Sequence, residues 1–119
     1  MAPKKGTVDA TRENFDELVA SGLVLVDVWA ESCRPCVVLG PHMENIASGN
    51  PDLTVIKVDA SKARRLCMSL QVRGLPTILL LHDGQEVDRI SEPNLTAGQV
   101  DAWLAETLAA LPQSPTKEA

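Results

Sequence analysis

The apolar residues of this chain change period as they run. Beyond Thr11, a residue type that caps helices, Phe15, Leu18 and Val19 recur at helical spacing, and Gly22 marks a stop. Leu23 to Val28 is a continuous apolar and β-branched run broken only by Asp27, the pattern of a strand buried on both faces. A second helix is predicted from near Cys33, with Val37, Val38, Met43, Ile46 and Ala47 as its apolar positions. It continues past Pro41, where a kink is expected, and Gly49-Asn50-Pro51 ends it. Leu53 to Val58 reads as the next strand, and Ser61 as the cap of a short helix through Leu66, Met68 and Leu70. Ile78 to Leu81 is a further apolar run, and Asp83-Gly84 predicts a tight hairpin turn into Glu86 to Ser91. Thr96 and Gln99 form a capping box before a last helix that buries Val100, Trp103, Leu104, Leu108 and Leu111.

The predicted order is helix, strand, helix, strand, helix, strand, strand, helix. Strands alternating with helices give a parallel sheet, and the closing hairpin adds an antiparallel pair, so the fold class is α/β. Residues 1–6 read as a flexible polar lead, 7–111 as one domain and the Pro-rich stretch 112–119 as a frayed tail.

Composition narrows the function classes. A chain of 119 residues, 45% hydrophobic, buries one core without staples. With two Trp, one Phe and no Tyr, that core is aliphatic and a base-stacking nucleic-acid surface is not expected. A net charge of -5, with no basic run beyond Lys4-Lys5 and Arg64-Arg65, argues against polyanions and anionic membranes. The N-terminal segment has no apolar core of a signal peptide, and no run reaches the length of a membrane span. Three cysteines, an odd count, suit a reducing compartment better than a disulfide scaffold.

The candidate chemistry sits in Cys33-Arg34-Pro35-Cys36, where a strand ends and a helix opens. Helix N–H groups there stabilise a thiolate, the reactive form of cysteine. Arg34 is a possible second stabiliser or a contact for an acidic partner, against a plain reading as a solvated residue. Pro35 suits the first helical turn, and a two-residue gap lets the sulfurs reach disulfide distance. The competing reading is a structural zinc pair, but only Cys67, His42 and His82 remain as ligands and none has paired spacing. Asp27 is either an ion-paired structural acid or a proton acceptor whose pKa burial raises, with Lys57 opposing the rise. Pro76 is an ordinary turn proline or a cis-proline before a buried strand. Cys67 is read as a buried, inert thiol, and His42 and His82 as surface or hairpin residues.

These pieces together resemble a thioredoxin: Val26 to Glu31, Cys33-x-Pro35-Cys36, Pro41, Val58-Asp59, Arg73-Gly74-Leu75-Pro76-Thr77 and Asp83-Gly84, in this order, over about residues 7–111. The resemblance implies the thioredoxin fold, a central mixed sheet flanked by helices. It implies a cytoplasmic dithiol–disulfide oxidoreductase with Cys33 as exposed nucleophile and Cys36 as resolving thiol. Asp27 is then a buried acid beneath the sulfurs, Trp29 packs beside them, and Pro76 is a cis-proline facing them. The Leu75 backbone is left to pair with an extended substrate segment, and Arg34 and Pro35 border the same surface. The chain departs from the family pattern at Ser32, Arg34 and Ser91 to Asn94, all on or near the surface that meets partners.

The leading function is therefore reduction of disulfides in protein substrates by a monomer that needs no bound cofactor or metal and is refilled by a thioredoxin reductase. Nucleic acid and membrane are not expected partners. The alternatives are a glutathione-linked relative, a redox-sensing interaction module without turnover, and a cluster carrier using Cys33 and Cys36 across a dimer.

Overall fold

A computed structural model describes residues 6–112. The expected lead and tail fall almost wholly outside the described residues. The elements in chain order are β1 (Val8–Ala10), α1 (Phe15–Leu18), β2 (Leu23–Trp29), α2 (Arg34–Gly49), β3 (Leu53–Asp59), α3 (Arg64–Ser69), β4 (Thr77–His82), β5 (Gln85–Ser91) and α4 (Ala97–Ala110). They form one mixed sheet of five strands, in the order β1-β3-β2-β4-β5. β1, β3 and β2 run parallel, and β4 and β5 run antiparallel to their neighbours.

The continuous apolar strands are the interior ones, covered on both faces as parallel strands must be. Alternate residues divide them between two cores. Val24, Val26 and Val28 of β2 meet Phe15, Val19, Leu66 and Cys67 on the side of α1 and α3. Leu25, Val55, Ile78 and Leu80 meet Leu39, Met43, Ile46, Val100 and Leu104 on the side of α2 and α4. The hairpin turn has Asp83 and Gly84 both at positive φ, 51° and 84°, as a two-residue turn of this hand requires. The capping box at Thr96 and Gln99 is formed in both directions.

Five expectations are corrected. β1 is an additional strand that pairs Val8 to Ala10 with Ile56 to Val58. The Ser61 hydroxyl does not cap α3; it donates to Asp59 Oδ1 at 2.7 Å, and the N-cap is Ala63. Val37, Val38 and Met68 sit at helical spacing yet face solvent, at 48%, 69% and 75% exposure. Trp103 is half-buried at the rim of its core, because its indole N–H donates to Asp88 at 3.1 Å. Thr11 lies three residues before the N-cap Asn14, and the two exchange side-chain-to-backbone hydrogen bonds.

Candidate active site

β2 ends at Trp29, the Cys33 amide closes a turn onto the Ala30 carbonyl, and α2 starts at once. Cys33 is the N-cap, with the extended backbone that position takes. Its sulfur fills the place of a capping oxygen, accepting the Cys36 amide at 3.2 Å. Pro35 stands in the first turn, where it withdraws no hydrogen bond from the helix. The sequence thus delivers one sulfur to the positive end of a 16-residue helix and the other one turn in. The two are joined as a disulfide, with Cα atoms 5.2 Å apart. Cys33 is half-buried, whereas Cys36 is 2% exposed. The pair is therefore asymmetric toward solvent. Arg34, Val37 and Val38 are exposed around it and Pro35 is half-buried.

Asp27 lies on the β2 face that packs against α2, the face that also carries Leu25. It is 1% exposed, and neither carboxylate oxygen has a hydrogen-bond partner among the described residues. Burial pushes its pKa from 3.8 up to about 6, and the Lys57 charge holds it from rising further. Lys57 is the register partner of Asp27 on β3. Its ammonium stands 4.7 Å from the centre of the half-buried Trp29 ring, a cation–π distance. It also lies 3.9 Å from where a Cβ on Gly40 would be. Gly40 is one turn beyond Cys36, so Asp27, Lys57 and Trp29 gather under the start of α2.

The third component comes from the other neighbour of β2. Thr77 pairs with Val28, which puts the preceding Leu75-Pro76 bond level with the end of β2, where the cysteine turn departs. That bond is cis. Leu75 is half-buried and Pro76 buried.

The other candidates lie apart. Cys67 is buried in α3, its thiol pushed up by burial and by the Asp59 charge. His42, expected at the surface, is half-buried and bridges α2 to α4 through Asp101 at 2.7 Å, while His82 is exposed beside Asp83. A cleft of about 780 Å³ opens beyond Trp29, bordered by Asp9, Arg12, Lys57, Asp59 and Lys62, and neither active cysteine lines it.

Sequence reasoning passed over Arg89 and marked Ser91 only as part of a departure from the family pattern, yet both reach from β5 to the segment leading to Pro76. No local signal marks them, because their targets lie 14 to 19 residues away along the chain.

The comparisons with known proteins agree with this geometry. The family model for thioredoxin matches residues 6–106. A thioredoxin of Chlamydia trachomatis is 43% identical over 79 residues, which is 66% of this chain and 78% of that protein. A thioredoxin of Acetoanaerobium sticklandii is 40% identical over 88 residues, covering 73% and 84%. Among solved structures, Malassezia sympodialis thioredoxin superposes with a TM-score of 0.74 at 24% identity, over 90% of this chain and 95% of that one. A chain from the complex of ferredoxin:thioredoxin reductase with thioredoxin f2 reaches 0.80 at 19% identity, over 90% and 99%; these two likenesses speak to the fold alone. Because the matched region spans the disulfide, the acid beneath it and the proline beside it, the chain belongs to the thioredoxin family, and it is a thiol–disulfide oxidoreductase.

Proposed function

We propose that the protein reduces disulfides in protein substrates by a two-cysteine exchange in which Cys33 attacks and Cys36 resolves. The observation that carries this reading is the unequal burial of two linked sulfurs at one helix N-terminus. In the dithiol form, the Cys36 amide and the positive end of α2 stabilise a Cys33 thiolate. That thiolate attacks one sulfur of the substrate disulfide. A Cys33–substrate bond forms, the substrate S–S bond breaks, and the departing substrate sulfur takes a proton. Asp27, with its pKa raised to about 6, accepts the Cys36 proton near neutral pH. The Cys36 thiolate then attacks Cys33, expels the second substrate thiol and closes the Cys33–Cys36 disulfide. Two electrons pass to the substrate, and an equivalent reduction by a thioredoxin reductase restores the dithiol.

Trp29, Arg34, Pro35, Leu75 and Pro76 form the surface around this exchange. Leu75 precedes β4, and its main chain offers pairing to an extended substrate segment. Arg34 adds a cation for acidic partners. No helix among the described residues is long and apolar enough to cross a membrane. The working unit is a cytoplasmic monomer built on residues 7–111, a reading supported by its odd cysteine count. Reduction of insulin disulfides with dithiothreitol as electron source tests the function. Wild type accelerates it and Cys33→Ser does not; equal rates for the two proteins rule the exchange out.

A further inference from the structure

The segment that leads to Pro76 is held from the neighbouring strand. α3 ends in a hydrogen-bonded closure: the Gln71 amide donates to Met68 and the Val72 amide to Cys67, at 3.0 and 2.9 Å. Closure of this kind needs a left-handed residue after the cap, a place for glycine. Gln71 occupies it with φ 59°, so a residue disfavoured in that conformation is kept there by its surroundings. The closure leaves the Leu70 and Gln71 carbonyls turned outward at the negative end of the helix. Arg89 of β5 takes both, donating to Leu70 O at 2.8 Å and to Gln71 O at 3.1 Å. Its guanidinium is itself fixed by Glu86, through two hydrogen bonds of 2.6 and 2.7 Å.

The other end of the segment is held by Ser91, two residues along β5 and so on the same face. The Thr77 hydroxyl shares a 2.7 Å hydrogen bond with Ser91 Oγ and lies 2.6 Å from the Gly74 carbonyl. Ser91 Oγ also reaches the Pro76 carbonyl at 3.4 Å. Between these two anchors, Arg73 and Gly74 are exposed. Val72 and Leu75 pack against the core on the side of α1 and α3, and the hydrogen bonds from β5 fix the exposed part of the segment that this packing leaves free.

We propose that Arg89 and Ser91 form a clasp that positions the Gln71–Thr77 segment for substrate pairing, with Arg89 as the principal positioning residue and Glu86 as its support. The assignment rests on the reading that the Leu75–Pro76 segment meets the substrate. Neither residue contacts the reacting sulfurs. Their effect is on how well an extended chain docks, and small for a disulfide too small to pair with the segment.

The test compares two substrates. In insulin reduction, Arg89→Met raises KM about threefold to tenfold with kcat nearly unchanged, because the docking segment is displaced while the reacting sulfurs are not. Exchange of the prereduced variant with 5,5′-dithiobis(2-nitrobenzoate), which presents no peptide, changes less than about twofold. Glu86→Gln, which keeps Arg89 and frees its fork, shifts the insulin KM the same way by less, and serves if Arg89→Met does not fold. Amide hydrogen exchange accelerates at Val72 to Thr77 and not in β2 or α2. An unchanged insulin KM in these variants, or an equal loss on both substrates, overturns the clasp. Leu75→Glu separates the two readings. If it leaves the insulin KM unchanged, the docking segment itself is wrong and the clasp falls with it. If it raises KM while Arg89→Met does not, only the clasp fails.

Discussion

Replacing Asp27 by Asn should stabilise the oxidised protein at neutral and alkaline pH, and hardly at all in acid. The folded protein binds a proton on Asp27 up to about pH 6, whereas the unfolded chain releases it near 3.8. Between those values folding takes up a proton, so stability falls as pH rises through that window, and above about 6 the whole penalty is present. At about 1.4 kcal/mol for each tenfold difference in proton affinity, the penalty is about 3 kcal/mol. Asn has the shape of the protonated acid and no charge; its amide carries two N–H donors against the acid's one O–H, a difference that does not change with pH. Urea unfolding at pH 8 should thus show the variant about 3 kcal/mol more stable, a midpoint about 2 M higher for a chain of this size. At pH 4 the difference should shrink below about 1 kcal/mol. Equal stabilities at pH 8 would mean that the carboxylate finds compensating partners in solution. A gain that does not change with pH would mean that its cause is packing, and in either case the argument from burial and the Lys57 charge is refuted.

Two further outcomes concern Arg34 at the site and Cys67 away from it. Arg34 places a cation beside a thiolate that exists mainly in the dithiol form, so it favours the reduced protein; Arg34→Gly should lower the redox potential by about 15 mV, for an interaction of about 0.7 kcal/mol, in a glutathione titration of both proteins. An unchanged or higher potential would leave Arg34 as a partner contact. Cys67, buried and with its thiol pushed up, should be alkylated by iodoacetamide far more slowly than Cys33 at pH 7, and Cys67→Ala should keep insulin turnover within about twofold.

The fold and the dithiol turn were legible because their determinants are local. A continuous apolar run such as Leu23 to Val28 has one comfortable place, inside a sheet covered on both faces. Asp83-Gly84 names its own turn, and Thr96 with Gln99 its own helix start. What stayed hidden depends on tertiary neighbours. Three residues of β1 carry too little pattern to register, and their strand exists because β3 offers an edge. Ser61 was a sound capping residue with a nearer acceptor in Asp59. Val37 and Val38 obey helical spacing, yet the opening turn of α2 stands at the rim beside the disulfide, where nothing covers them. At the site, Cys33, Cys36 and Asp27 announce themselves as residue types out of place. Arg89 looks like an ordinary strand residue, and Ser91 only like the start of an altered turn, until β5 brings them to the end of α3 and the start of β4.

The division of labour between the two cysteines is the central claim, and trapping tests it most directly. Reduced Cys36→Ser, incubated with insulin and analysed by mass spectrometry without reductant, should accumulate a protein–insulin mixed disulfide through Cys33, because no thiol remains beside Cys33 to resolve it and Cys67 is buried in α3. Cys33→Ser under the same conditions should stay free, its remaining active-site sulfur being 2% exposed. Adducts on Cys36 in the second variant, or turnover by the first at the wild-type rate, would contradict the account.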